Sequence, residues 1–214
     1  MAIGVAEGLP LRHGAARDGS AGTKRELRLI RVLDAAYEVF LNEGYDRLTM
    51  RKVAAIAGMS HGNLNYYFPR KEHLLRALFD YVIDGHLAEF ERRQVDAGGD
   101  PERQLEAILD YWLDDGLSRE TTIFLMEMWA RSNRDDNIAA MTDQFYRRAR
   151  QPLATLIVLI NPSLNEQEAA QIALLMCASM EWLMVFAGHD RPYLSQYTDL
   201  KRLLIPSLLR MIRG

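Results

Sequence analysis

Residues 49–71 read TMRKVAAIAGMSHGNLNYYFPRK, and they constrain the fold more strongly than any other stretch of the chain. Thr49 is a residue type that caps helices, and Val53 begins the apolar inner face of the helix that follows it. Gly58 supplies a turn in which a left-handed backbone is inexpensive only for glycine. Ser60 can cap a further helix. The stretch therefore predicts two short helices joined by a tight turn.

The second of these helices is expected to extend from Ser60 to Tyr67. Ala54, Gly58 and Leu64 have the spacing of a helix-turn-helix, with a small residue at the helix crossing, a turn glycine and an apolar anchor. The outward side chains are polar or small and can form hydrogen bonds with base edges and phosphates in a major groove. They are His61, Gly62, Asn63, Asn65 and Tyr66. The pattern predicts a DNA-binding helix.

These residues, together with the preceding amphipathic stretch LIRVLDAAYEVFLNEGYDRLT, resemble the DNA-binding domain of the TetR family of bacterial repressors. The family pattern is F-x-x-x-G-[YF], a helix-opening threonine, A-G-[VM]-S in the turn, and then L-x-x-Y-F before a basic residue. The matching positions are Phe40, Gly44, Tyr45, Thr49, Ala57, Gly58, Met59, Ser60, Leu64, Tyr67, Phe68 and Lys71. The resemblance covers about residues 25–80. Asn65 departs from it, because many members carry an aromatic residue there, and this affects which bases are read.

The charge of the chain is divided unevenly along the sequence. The net charge is −3, but residues 1–71 carry 11 Lys and Arg against 7 Asp and Glu, whereas residues 72–214 carry 15 against 22. A basic first part on an acidic remainder favours one orientation of approach to DNA. The length of 214 residues and the apolar content of 49% are typical of a packed globular protein with a substantial core.

Beyond residue 71 the apolar spacing predicts helices only, with one kinked at Pro152, and no segment alternates long enough to indicate a strand. The predicted fold is all-α: an N-terminal three-helix DNA-binding domain with a helix-turn-helix, followed by a helical bundle for ligand binding and dimerisation. We predict a disordered arm at residues 1–22, the DNA-binding domain at 23–70 and the helical bundle at 71–214.

Basic residues at the start of the chain allow two interpretations of the arm. They can contact phosphate or the minor groove, or they can have no role in a disordered segment. The residues concerned are Arg12, Arg17, Lys24 and Arg25.

Residues 169–187 read AAQIALLMCASMEWLMVFA and are apolar on almost every face. Their length is near that of a membrane span, but Glu181 at the middle, Gln171 and the lack of basic flanking loops argue against one. A helix that is apolar all round in a water-soluble protein must be covered on both sides. We therefore expect a homodimer, and the family resemblance implies the same contact on the last two helices. These helices extend from Asn165 to Gly188 and from Ser195 to Arg213.

A two-fold dimer implies a palindromic operator read by two copies of the DNA-binding helix. We assign His61, Asn63, Asn65 and Tyr66 to base edges, and Gly62 to close backbone approach. The expected phosphate contacts are Thr49, Arg51, Tyr67 and Lys71. For His61 and Asn63 an ordinary solvated surface is the alternative, and for Tyr67 packing and phosphate contact can coexist.

The resemblance also implies a small-molecule effector that binds the helical bundle and alters the separation of the two DNA-binding helices. Candidate ligand contacts are Trp112, Met126, Glu127, Trp129, Tyr146, Met180, Trp182 and Phe186. The alternative is a plain core, of which Met and aromatic residues at helical spacing are more often part. Glu127 and Arg131, at i and i+4, form either a surface ion pair or a pair that orients a polar ligand.

The sequence lacks the motifs of enzymes and of cofactor or metal sites. It has no Gly-rich phosphate loop, nucleophile elbow, H-E-x-x-H motif or Cys/His metal spacing. Cys177 is the only cysteine, which fits a reducing cytoplasm, and the N-terminus does not resemble a signal peptide. We expect a cytoplasmic, ligand-responsive transcriptional regulator, most simply a repressor, without a cofactor. The alternative is a helical protein-interaction adaptor that does not bind DNA.

Overall fold

The computed structural model describes residues 24–213, and all regular secondary structure in this range is helical. The all-α prediction is therefore confirmed. The α-helices are α1 (Lys24–Glu43), α2 (Met50–Ile56), α3 (His61–Tyr67), α4 (Lys71–Ala97), α5 (Pro101–Gly116), α6 (Arg119–Ser132), α7 (Asp136–Ile160), α8 (Glu166–Ala187) and α9 (Tyr197–Arg213). Single 3-10 turns occur at Tyr45–Arg47 and Leu194–Gln196. The arm predicted at residues 1–22 lies outside the described residues.

Side-chain caps fix where several helices begin. The Asp100 carboxylate accepts from the Glu102 N–H at 3.0 Å at the start of α5. Asn165 and Glu168 form a reciprocal capping box at the start of α8. Such caps satisfy backbone N–H groups that have no partner inside the helix. Pro152, where we expect a kink, lies inside α7, and the helix continues to Ile160.

The described residues form two compact units. The first unit contains residues 24–85 and 123–145, and the second contains residues 86–122 and 146–213. This division differs from the predicted domain boundary at residue 70, because a segment distant in sequence completes the core of the first unit.

Phe124 of α6 lies at the centre of the first unit's core. Its ring centroid is 5.6 Å from Tyr37, 5.1 Å from Phe40 and 5.3 Å from Phe79. All four side chains are buried. Because aromatic residues bury large apolar areas and pack favourably in tilted pairs, this cluster fixes part of α6 to α1 and the start of α4.

The second unit packs α5, α8 and α9 around an apolar core. Polar contacts also join two of these helices. The Tyr197 hydroxyl donates to the Leu113 carbonyl, and the Lys201 ammonium lies 2.7 Å from Asp110 and 2.5 Å from Asp114. These contacts fix α9 against α5.

Among the described residues, α8 is the one helix long and apolar enough to cross a membrane, with a mean hydropathy of 1.6. Length and composition alone do not distinguish a membrane span from a core helix. One face of α8 contributes to the core of the second unit through Ala169, Ala173, Met176, Met180 and Ala187.

Candidate nucleic-acid interface

The predicted helix-turn-helix is formed by α2 and α3. The Thr49 hydroxyl accepts from the Lys52 N–H at 3.4 Å, and the Ser60 hydroxyl accepts from the Asn63 N–H at 3.1 Å. Gly58 has a φ of 67°, the left-handed conformation that we predicted for the turn. Both helices have only seven residues, so these caps and the turn supply much of what defines them.

Helix α3 has a buried side and an exposed side. Leu64 is fully buried and Phe68, directly after the helix, is buried as well. His61, Gly62 and Asn63 are exposed, and Tyr66 exposes 81% of its surface. The exposed side therefore offers imidazole, amide and phenol groups to a partner.

Two predicted contact residues of α3 are only half-buried. The Asn65 amide nitrogen lies 3.4 Å from His61 Nδ1, one turn away on the same helix. The Tyr67 ring meets the Tyr66 ring edge-to-face, with centroids 5.4 Å apart. Asn65 and Tyr67 thus have neighbours within the helix that orient them.

Gly62 is surrounded by open space. A Cβ atom added there would have Ser60 Oγ, 4.0 Å away, as its nearest neighbour beyond the adjacent residues and the helix backbone. Internal packing does not require a glycine at this position, so its small size is available for close approach of a partner.

The predicted phosphate contacts differ in their surroundings. Thr49 and Arg51 are exposed. Lys71 is half-buried, and its ammonium donates to the Tyr45 carbonyl at 2.8 Å, a contact that sequence spacing did not indicate. The adjacent Arg70, which we did not assign, is exposed and lies 3.2 Å from His73 Nε2. The Pro-Arg-Lys sequence contained both cations, but its spacing did not indicate which one faces outward.

Lys71 belongs to a group that we call the Tyr45 cluster, formed by Tyr45, Asp46, Lys71, Glu127 and Arg131. The Lys71 ammonium lies 4.1 Å and the Arg131 guanidinium 5.0 Å from the centre of the Tyr45 ring. Arg131 also lies 2.5 Å from Asp46 and 3.4 Å from Glu127. The Tyr45 N–H donates to Glu127 Oε1 at 3.4 Å.

Burial and charge shift the pKa values within this cluster. Burial lowers the pKa of Lys71, and neighbouring Asp46 partly opposes the shift. The hydrogen bond from Arg131 lowers the pKa of Asp46. Burial raises the pKa of Tyr45, and the nearby charge of Asp135 raises it further.

In the second unit, two predicted ligand contacts meet at a carboxylate. The Trp112 indole N–H donates to Glu181 at 3.3 Å, and the Tyr146 hydroxyl donates to the other oxygen at 3.0 Å. Burial raises the pKa of Glu181 to about 7, against the effect of these two donors, and nearby Asp115 raises it further. We had not assigned Glu181 as a ligand contact, because in the sequence it is only a polar interruption of an apolar run.

The remaining predicted ligand contacts have different surroundings. Met126, Glu127 and Trp129 lie on α6 in the first unit. Trp182 and Phe186 are exposed on α8, and their rings stack with centroids 6.3 Å apart. Met180, the last of the set, is buried in the core of the second unit.

The exposed face of α8 and part of α9 form what we call the α8–α9 apolar surface. Its residues are large, apolar and more than a third exposed: Leu174, Leu175, Trp182, Phe186, Leu203 and Met211. Within residues 24–213 no group of three His, Cys, Asp or Glu side chains could hold a metal ion.

Comparisons with known proteins agree with this geometry. Residues 32–78 match the model of bacterial regulatory proteins of the tetR family, and residues 101–196 match the model of the BetI-type transcriptional repressor C-terminal domain. An uncharacterized HTH-type transcriptional regulator from the dhlA 5′ region of Xanthobacter autotrophicus is 32% identical over 71% of this chain and 75% of that protein. The HTH-type transcriptional regulator BetI of Burkholderia cenocepacia is 27% identical over 68% of this chain and 76% of that protein.

A solved structure gives the same fold. A TetR transcription regulator from Haloarcula marismortui superposes with a TM-score of 0.66 at 18% identity, covering 86% of this chain and 97% of that one. Members of the TetR family bind DNA and act as dimers, and the family consists of transcriptional regulators rather than enzymes. With a capped helix-turn-helix, a matching family model and a relative of 32% identity, this chain belongs to the TetR family of bacterial transcriptional regulators.

Proposed function

We propose that the protein is a repressor that binds a palindromic operator as a homodimer and is released by a small-molecule effector. The observation that carries this proposal is α3, a short capped helix that is anchored by Leu64 and exposes hydrogen-bonding groups on its other side. In a helix-turn-helix protein this side enters the major groove, and a two-fold dimer presents it twice, about one helical turn of DNA apart.

The proposed base contacts are His61, Asn63 and Tyr66, with Asn65 held beside His61. An asparagine can form two hydrogen bonds with adenine in the major groove, and histidine and tyrosine add donors and acceptors. Gly62 leaves room for the helix backbone to approach the DNA.

For the phosphate contacts we propose Thr49, Arg51 and Tyr67. Arg70 joins them because it is exposed beside the start of α4. Lys71 has a different proposed role, because its ammonium already donates to Tyr45 and is half-buried. Its charge contributes to the local potential without a direct phosphate bond.

Dimerisation through α8 and α9 is supported by the α8–α9 apolar surface. Trp182 exposes 62% of its surface, Phe186 56% and Leu203 69%. Large contiguous apolar patches on a protein surface mark interaction sites, and burying aromatic residues contributes strongly to association. A second copy of the chain, related by a two-fold axis, would cover this surface with the same surface of its own.

We propose that the effector binds the second unit beside Glu181, Trp112 and Tyr146. A half-buried carboxylate between two aromatic residues is a polar group that a ligand can satisfy in an otherwise apolar environment. The effector must bind the form with low DNA affinity more tightly than it binds the form with high DNA affinity, typically by about 1–3 kcal/mol.

The test is fluorescence anisotropy with DNA flanking the protein's own gene, compared with a scrambled duplex at several salt concentrations. Tight, selective binding of two chains per duplex supports the proposal. The same assay then screens for compounds that release the DNA. A folded dimer that binds neither duplex, even after selection from random sequences, would instead favour the adaptor alternative.

We also propose a cytoplasmic location, where the chromosome is accessible.

A further inference from the structure

Helix α6 contacts the turn that leads into the helix-turn-helix. Tyr45 and Asp46 lie in the first of the two 3-10 turns, Tyr45–Arg47. Buried Leu48 and the α2 cap Thr49 follow directly. Only two residues, Leu48 and Thr49, separate this turn from the first residue of α2. The turn is therefore the connection through which α1 leads into the helix-turn-helix.

Two side chains of α6 hold this turn from one side. Glu127 accepts from the Tyr45 N–H, and Arg131 contacts Asp46, Glu127 and the face of the Tyr45 ring. The guanidinium suits this arrangement, because its planar fork of donors can serve two carboxylates while its face stacks on a ring.

Lys71 holds the same turn from the start of α4, through the Tyr45 carbonyl and the ring. The main-chain N–H and carbonyl of Tyr45 are thus bound by Glu127 and Lys71 respectively. The hydrogen-bonded groups of one turn residue are engaged by two different helices of the same compact unit.

Helix α6 is itself anchored in this unit. Phe124 packs among Tyr37, Phe40 and Phe79, one turn before Glu127. Because this packing holds α6, the α6 side chains that contact the Tyr45 cluster have a fixed position. A shift of α6 would move these contacts together with the helix.

We propose that Glu127 and Arg131 are positioning residues for DNA recognition: they hold the 45–47 turn in the pose that presents α2 and α3. This inference rests on the proposed DNA recognition and adds two residues outside the helix-turn-helix that set operator affinity. It also gives the Glu127–Arg131 pair a role other than the two that the sequence left open. In this role the two side chains bind the turn as well as each other.

The first experiment follows hydrogen–deuterium exchange in the full-length protein without DNA. Arg131→Ala and the double variant Glu127→Ala/Arg131→Ala are compared with the wild type, and Arg134→Ala, an exposed arginine just after α6, is the matched control. We expect exchange in residues 45–56 to accelerate about two- to fivefold in the single variant and more in the double variant, with the Arg134 variant unchanged. Wild-type exchange in both test variants would overturn the proposal.

The second experiment measures DNA affinity on a duplex selected by the wild-type protein from a random library, and on a random duplex. Arg131→Ala should weaken binding to the selected duplex about two- to fivefold and leave the random duplex and the salt dependence unchanged. Asp46→Ala should have a similar effect, and the double variant Asp46→Ala/Arg131→Ala should be no weaker than Arg131→Ala, because the two residues act through one contact.

The two experiments separate the proposal from the function on which it rests. If Arg131→Ala loses affinity equally for both duplexes, and if its salt dependence is shallower by about one unit, Arg131 contacts a phosphate. This result would overturn its positioning role. Failure of the wild type to select any sequence would count against the proposed operator binding, whereas hydrogen exchange would still decide whether α6 holds the turn.

Discussion

Helices α3 and α8 each expose a face, but the two faces have opposite chemistry. The outer side of α3 carries an imidazole, an amide and a phenol, whereas that of α8 carries leucine side chains, Trp182 and Phe186. A hydrated, charged partner such as DNA suits the first face, because groove recognition depends on hydrogen bonds and charge. An apolar partner suits the second, because its burial removes hydrocarbon from water. The character of an exposed helix face thus indicates the class of partner.

The largest expected effect comes from placing a charge on the apolar face. Trp182→Asp should weaken dimerisation about 30-fold or more, because burying an unpaired carboxylate is costly and a large aromatic contact is lost. Analytical ultracentrifugation measures the dissociation constant. Val95→Asp, at a valine on α4 that is more exposed than Trp182 and lies outside the α8–α9 apolar surface, is the control. A dimer of unchanged stability in Trp182→Asp would place the interface elsewhere.

On the polar face, Asn63→Ala should weaken binding by about 1–3 kcal/mol and relax the preference at one base position. Binding to a set of operators with single base changes measures this directly. Arg51→Ala provides the contrast, because it should weaken binding to all sequences and lower the salt slope by about one. The same loss on every duplex for Asn63→Ala would show that Asn63 does not read a base.

The half-buried Glu181 of α8 gives a prediction in pH. Burial raises the pKa of Glu181 from 4.5 to about 7. Between these values the folded chain binds a proton that the unfolded chain releases, so this residue makes unfolding easier as pH rises from 4.5 to 7. Glu181→Gln should remove that contribution. The melting temperature of Glu181→Gln minus that of the wild type should therefore be larger at pH 8 than at pH 5. Differential scanning calorimetry measures this difference. An equal difference at both pH values would contradict the raised pKa.

The smallest expected effect is that of Gly62→Ala, which should stabilise the fold but weaken operator binding. Gly62→Ala should stabilise the free protein by about 0.5–1 kcal/mol, because alanine favours a helix and the added Cβ meets open space. The same methyl group should weaken operator binding if the helix backbone approaches the DNA. Gly58→Ala is the counterpart, and its left-handed backbone should cost about 1–2 kcal/mol. Urea denaturation and anisotropy measure the two quantities, and unchanged DNA affinity in Gly62→Ala would exclude close backbone approach.

Features that depend on neighbours in sequence were predictable. The caps at Thr49 and Ser60 and the turn at Gly58 follow from residue type and spacing, and they lie where the sequence indicated. Apolar periodicity likewise gave the helical fold, because a helix buries residues at a fixed repeat.

Features that depend on partners distant in sequence were not predictable. Glu127 and Tyr45 are separated by 82 residues, Trp112 and Glu181 by 69, and neither pairing leaves a mark in the local pattern. The same limitation explains the domain boundary, because the packing of Phe124 with α1 joins segments that are far apart in the chain. Periodicity indicates which face of a helix is buried, but it does not indicate what covers that face.

The way α3 is held has a consequence for the evolution of new operators. Its fold depends on the Ser60 cap and on buried Leu64 and Phe68, none of which belongs to its exposed side. Substitutions at the outward positions 61, 62, 63 and 66 therefore change the chemistry of the exposed side without removing what holds the helix in place. Under the proposed DNA recognition, duplicated copies of such a gene diverge in target sequence through these few codons while the helix keeps its place.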